Sequence, residues 1–297
     1  MKITANGIGI EVEDSGGEGR PVVFLIMGLG MQLIGWPDDF VQGLVDAGYR
    51  VVRHDNRDIG LSQDFASAGT GNLIWQSVRQ RLGLPVRSAY SLQDMADDAL
   101  GVLDALGIER AHVVGASMGG MIAQRLAASA PARTASLVSI MSSSGARRLP
   151  GPRSDVTAAL IRRPADRSEA TLVAYGLGFA RLIASPAYPQ PDQAIADRLR
   201  VAMRRAYNPA GVVRQILAIG ADSNRADVLA KITAPTLVLH GEADPLIPIV
   251  CGRDTAARIP GARFVGIPGM GHDLPPEVVD ILLRNIVPFL QSVESSA

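Results

Sequence analysis

A chain of 297 residues, 47% hydrophobic and 20% charged, has room for one large α/β domain or for a domain carrying an insertion. Its 29 basic and 29 acidic residues cancel, so no long-range field draws it to nucleic acid or to a membrane surface. The single cysteine, Cys251, excludes an intramolecular disulfide, has no metal-ligand spacing around it and reads as a helix-packing residue.

The first residues, Met1-Lys2-Ile3-Thr4-Ala5-Asn6-Gly7, lack a basic segment followed by an apolar one, so a cytoplasmic protein without a signal peptide is expected. No apolar stretch reaches the length of a membrane span. Lys2 to Glu13 alternates apolar and polar residues around Asn6-Gly7 and predicts a hairpin. Pro21 to Met27 is a continuous apolar run, as in a strand covered on both faces, and the turn Gly28-Leu29-Gly30 follows it directly. A short helix over Phe40 to Ala47 and a strand over Tyr49 to His54 come next. The polar loop Asp55 to Ser62 then opens an irregular stretch over 64–90. Ser91-Leu92-Gln93-Asp94 reads as a helix cap, with the helix stopping at Gly107.

From Gly145 to Asp227 strand-like runs vanish and helical segments such as Glu169 to Ile183 and Gln193 to Tyr207 take over. This stretch holds 13 arginines against seven acidic residues. It reads as a helical cap insertion at 145–227 within a core of 1–144 and 228–297. Alternation resumes with a strand at Thr236 to His240, a helix near Ile249 to Arg258, a strand at Arg263 to Ile267 and a last helix from Pro276. Strands alternating with helices predict an α/β fold, a mostly parallel sheet of about eight strands with helices on both faces. Right-handed crossovers put the C-terminal ends of its parallel strands on one edge, where such sheets bind ligands.

The segment Gly115-Ala116-Ser117-Met118-Gly119 follows an apolar strand, His112-Val113-Val114, and precedes an Ala-rich helix. It fits G-x-S-x-G, a strand–turn–helix elbow that lifts a serine hydroxyl clear of the sheet, where only small neighbours allow the chain to fold back. An ordinary turn with an incidental serine is the competing reading.

A serine needs a base to act as a nucleophile. Of the four histidines, His54, His112 and His240 fall within or at the ends of strands, and His112 starts the elbow strand, far from the reactive edge. His272 alone lies in a loop at that edge, Pro268-Gly269-Met270-Gly271-His272-Asp273. The imidazole in turn needs a carboxylate. After the penultimate strand the chain offers Asp244, before a proline turn, and Glu242 as the fallback. The other possible place, Ser142-Ser143-Ser144-Gly145, holds no acid. Two backbone donors for an oxyanion are expected, the Met118 N–H of the elbow and the Leu29 N–H of the turn after the third strand. Gly28, Leu29 and Met118 are then the expected pocket residues. In the polar loop, Arg57 paired with Asp55 or Asp58 is expected to tie the loop to its neighbours rather than to act in chemistry.

These residues bring out a resemblance. Taken together, Met27-Gly28, Gly35-Trp36-Pro37, Asp55-Asn56-Arg57-Asp58 and Gly115-Ala116-Ser117-Met118-Gly119 make the chain similar to α/β-hydrolase fold serine hydrolases. Within these it resembles the aclacinomycin methylesterase type of carboxylesterase. The order Ser117, Asp244, His272 is the one that fold uses. The common His-Gly of the first loop is Met27-Gly28 here, which leaves the backbone donor intact. The resemblance implies hydrolysis of small-molecule carboxylic esters through Ser117, Asp244 and His272, with no cofactor and no metal. It covers the helical insertion poorly and leaves the substrate and the oligomeric state open. Carbon–carbon bond hydrolases, lactonases, thioesterases and perhydrolases keep the same serine and remain alternatives. A non-catalytic binding protein on the same framework is the reading from a different class.

Overall fold

Asn6 and Gly7 take positive φ, 49° and 76°, the backbone that a two-residue hairpin requires. They join β1 (Lys2–Ala5) to β2 (Ile8–Asp14), with Ala5 paired to Ile8 across the turn. The computed structural model describes residues 1–82, 84–162 and 164–296 of the chain. Beyond the hairpin come β3 (Val22–Ile26), α1 (Asp38–Asp46), β4 (Arg50–His54), α2 (Leu73–Arg81), α3 (Leu92–Ala105), β5 (Ala111–Ala116), α4 (Met118–Ser129) and β6 (Thr134–Ile140). Helices α5 (Ser154–Ile161), α6 (Glu169–Ile183), α7 (Asp192–Arg205) and α8 (Pro209–Ala221) follow. The short α9 (Arg225–Val228) leads into β7 (Thr236–Gly241), α10 (Ile249–Arg258), β8 (Arg263–Ile267) and α11 (Pro276–Glu294).

The eight strands form one sheet in the order β1-β2-β4-β3-β5-β6-β7-β8. β2 pairs antiparallel with both β1 and β4, and the remaining neighbours pair parallel. In β3 every residue is buried, and alternate side chains serve different faces. Phe24 and Ile26 join a cluster with α3 and α4, while Val23 and Leu25 join one with α1 and α11. Each such side chain contributes about 1.5–3 kcal/mol when fully buried, which is why the strand reads as an unbroken apolar run. α3 starts at Ser91, whose hydroxyl accepts the Asp94 N–H while the Asp94 carboxylate accepts the Ser91 N–H. It stops before Gly107, where φ is 65°.

One expectation fails here. The stretch 64–90 is not wholly irregular, because it contains α2. Asn72 caps that helix by accepting the Trp75 N–H at 3.0 Å, but nine helical residues between Gly- and Ser-bearing flanks give too little periodicity to read.

The register delivers the site. Ile26 pairs with Gly115, Gly115 with Ser139, Ile140 with Leu239 and Gly241 with Ile267. The turns that follow β3, β5, β6, β7 and β8 therefore leave the sheet side by side at one edge.

Candidate active site

Ser117 sits between β5 and α4 with φ 56° and ψ −121°. A backbone this unusual for a residue with a side chain stores about 1–3 kcal/mol and persists only where its surroundings enforce it. Close packing does so. A Cβ on Gly115 would lie 2.2 Å from the Gly119 carbonyl oxygen, and one on Gly119 would lie 2.0 Å from the Ile26 carbonyl oxygen. From the neighbouring strand end, Ser142 donates its hydroxyl to the Ser117 carbonyl at 2.7 Å. Ser117 is the N-cap of α4 yet makes no side-chain cap bond, which leaves its hydroxyl for other use.

That hydroxyl meets His272. The Ser117 Oγ lies 2.9 Å from His272 Nε2, and His272 Nδ1 lies 2.7 Å from Asp244 Oδ2. The other Asp244 oxygen accepts the Leu246 and Ile247 N–H groups at 2.9 and 2.8 Å. With Asp244 accepting from Nδ1–H, the bare Nε2 faces the serine proton. The Asp244 side chain is fully buried, whereas Glu242 is exposed. The structure thus brings Ser117, His272 and Asp244 into one hydrogen-bonded chain and leaves Glu242 out of it. The other histidines stand outside this chain of bonds, although His240 Nε2 comes within 3.6 Å of Asp244 Oδ2. His112 bonds Ser136 and Glu294 at the far end of β5, and His54 stacks on Phe24 with rings 5.0 Å apart. His240 bonds the Ile247 carbonyl at 2.7 Å, supporting the loop that carries Asp244. Burial holds the pKa of all three below that of free imidazole.

The turn after β3 runs against the serine. A Cβ on Gly28 would stand 3.0 Å from the Ser117 Cβ and 3.5 Å from its Oγ. Among the described residues, neither the Leu29 nor the Met118 amide donates to another group of the chain. The Leu29 side chain is half-buried against the α3–α4 cluster, and that of Met118 is fully buried within it. What Met118 presents to the site is therefore its main chain.

The His272 loop is held by the end of α6 and the residues that follow it. The His272 N–H donates to the Ile183 carbonyl at 2.7 Å, and the Gly271 N–H to the Ser185 hydroxyl at 2.9 Å. The Ser185 N–H in turn donates to Asp273 at 2.9 Å. Burial raises the Asp273 pKa, against hydrogen bonds from Ser185 and Gln190 that lower it.

The polar loop after β4 differs from expectation. Arg57 pairs with neither Asp55 nor Asp58. It grips Asp98 of α3 through two bonds of 2.6 and 2.7 Å, with its guanidinium 5.0 Å from the rings of both Phe65 and Tyr90. The two aspartates turn instead to the helical segment, Asp55 to Arg205 of α7 at 2.7 Å and Asp58 to Arg214 of α8 at 2.6 and 2.8 Å. Residues so close along a loop point apart, and their partners come from elements distant in the chain. Sequence reasoning missed Ser142, Ser185 and Arg214, which carry no motif. The only signal was the density of charge in Asp55-Asn56-Arg57-Asp58, which calls for partners without naming them.

Comparison with known proteins agrees with this geometry. The profile of the family described as alpha/beta hydrolase fold matches residues 21–277. Rhodomycin D methylesterase DauP of Streptomyces sp. (strain C5) is 32% identical, over 96% of this chain and 95% of that protein. Rhodomycin D methylesterase DnrP of Streptomyces peucetius is 31% identical over the same shares. The solved structure of a hydrolase from Pseudomonas aeruginosa PA01 superposes with a TM-score of 0.72 at 26% identity, covering 98% of this chain and 97% of that one. The chain belongs to the α/β-hydrolase fold family.

Proposed function

We propose that this protein hydrolyses carboxylic esters of small to medium hydrophobic substrates through an acyl-enzyme on Ser117. The observation that carries the reading is the unbroken chain Asp244–His272–Ser117, at 2.7 and 2.9 Å. Ser117 Oγ bonds to the acyl carbon as its proton passes to His272 Nε2. The oxygen that takes up negative charge faces the Leu29 and Met118 N–H groups, each worth about 3–4 kcal/mol to the transition state. Asp244 holds the imidazole and stabilises its positive charge. The leaving alkoxide then takes the His272 proton. Water attacks the acyl-enzyme, giving its proton to His272, and the bond between Ser117 Oγ and the acyl carbon breaks as Oγ takes that proton back and the acid departs. The similarity to two methylesterases supports an ester over a thioester, lactone or carbon–carbon bond.

In this reading residues 145–227 form a cap over a core of 1–144 and 228–297. Its residues shape the substrate pocket together with Gly28 and Leu29. A cytoplasmic setting belongs to the same proposal. Five arginines of this segment, Arg181, Arg204, Arg205, Arg214 and Arg225, each pair with a carboxylate. The test is turnover of methyl and aryl esters against a matched thioester, lactone and vinylogous diketone, by wild type and Ser117→Ala. Esters should lead, and all turnover should vanish in the variant. A lead by the diketone, or undiminished hydrolysis in Ser117→Ala, would overturn the reading.

A further inference from the structure

Gln215 of α8 is fully buried, and both ends of its amide are used. Its Oε1 accepts the Gly30 N–H at 2.9 Å, and its Nε2 donates to the Arg57 carbonyl at 3.0 Å. An N–H can only donate and a carbonyl can only accept, so one orientation of the amide satisfies both contacts. Burying a primary amide without such partners is unfavourable, which makes the arrangement a specific one.

Gly30 belongs to the turn that carries the Leu29 amide. The Met31 N–H donates to the Gly28 carbonyl at 3.2 Å, so residues 28–31 form a β-turn. Its third residue, Gly30, has φ 68°, while Leu29 is not among the residues of positive φ. Those signs mark a type II turn. Type II and type I turns differ by a flip of their central peptide, here Leu29–Gly30, and glycine in the third position accepts either. The bond from Gly30 N–H to Gln215 Oε1 selects type II. Behind the turn, the Asn56 amide donates to the Met27 carbonyl at 2.9 Å. In front, Val212 of α8 stands where a Cβ on Gly30 would meet it at 3.1 Å.

We infer that Gln215 is a positioning residue for the oxyanion site: by holding the Leu29–Gly30 peptide through the Gly30 N–H it anchors the 28–31 turn, and with it the adjoining Gly28–Leu29 peptide whose N–H serves the carbonyl attacked by Ser117. This rests on the function proposed above. A helix of the insertion thereby sets a core catalytic donor, although Gln215 lies 185 residues from Gly30.

The test compares wild type with Gln215→Met, which keeps the length and loses both bonds, and Gln215→Glu, which keeps an acceptor for Gly30. Active sites are titrated with a fluorophosphonate, so that kcat is counted per competent serine whatever fraction folds. The affinity of a trifluoromethyl ketone analogue of the substrate is measured alongside. Gln215→Met should lower kcat about 10- to 100-fold with KM little changed, the scale of a displaced catalytic group. The ketone should weaken in proportion to kcat/KM, and Gln215→Glu should keep several times more of kcat than Gln215→Met. A kcat per site within threefold of wild type in Gln215→Met, a change confined to KM, or unchanged ketone affinity would overturn the positioning role alone. Loss of the function reading has a different mark: wild type itself would neither turn over esters nor bind the ketone, and the role of Gln215 would fall with it.

Discussion

A methyl group on Gly28 would touch the Ser117 side chain, with its carbon 3.0 Å from the Ser117 Cβ and 3.2 Å from the Ala116 carbonyl oxygen. Gly28→Ala is therefore expected to push the serine and the turn apart, lowering kcat about 10- to 100-fold while the melting temperature changes little. Steady-state kinetics with active-site titration checks it. At Asp244, replacement by Asn keeps the volume but supplies a donor where the imidazole needs an acceptor. Turnover should fall by about three to four orders of magnitude in Asp244→Asn and hardly at all in Glu242→Gln. The reverse ranking would move the acid to Glu242. Of these residues, Ser117 and His272 were legible in the sequence, because a G-x-S-x-G elbow and a lone loop histidine carry local signals. Asp244 was favoured over Glu242 only by the proline turn that follows it; what separates the two in the structure is burial, which the path of the loop after β7 sets.

Elements with strong local patterns lie where the sequence puts them. α6, α10 and β8 occupy Glu169–Ile183, Ile249–Arg258 and Arg263–Ile267 as expected. α5 and α8 carried no clear pattern: α5 is eight residues long with only Val156 buried, and the buried face of α8 is interrupted by Arg214 and Gln215. α8 docks by polar contacts as well as by the buried Leu217 and Ala218. Arg214 and Gln215 are adjacent in it, the first gripping Asp58 and the second the 28–31 turn. The Asp58 side chain is fully buried and also accepts the Tyr90 hydroxyl at 2.7 Å. Removing one partner of such a pair leaves a buried charge, so Arg214→Met should destabilise the fold by about 3–5 kcal/mol in urea unfolding. Adding Asp58→Asn should recover part of the loss. Equal effects with and without the second change would show that the pair is not coupled.

Across the whole molecule, the helical segment between β6 and β7 is tied to the rest of the chain on both sides of Ser117, by Ile183 and Ser185 at the His272 loop and by Arg214 and Gln215 at the opposite turn. Such a frame favours a preorganised site over one assembled by a swinging lid. The molecule also carries a built-in acid lability. Neither ring nitrogen of the buried His54 has a hydrogen-bond partner among the described residues, and burial pushes its pKa down from 6.5 to about 4. Between those values the unfolded chain takes up a proton that the folded chain refuses. The contribution of His54 is therefore full above pH 6.5, falls as the pH drops towards about 4 and levels off below, a loss of about 3 kcal/mol from this residue. Denaturant unfolding across that range should show the slope, and His54→Leu should flatten it by that amount. An unchanged slope would remove His54 as its source.

Mass spectrometry of the protein after reaction with a fluorophosphonate ester tests the account most directly. One phosphonyl group per chain is expected, on the peptide carrying Ser117, with none on Ser117→Ala and slowed labelling in Asp244→Asn. A label on another residue, or undiminished labelling of Ser117→Ala, would contradict the account.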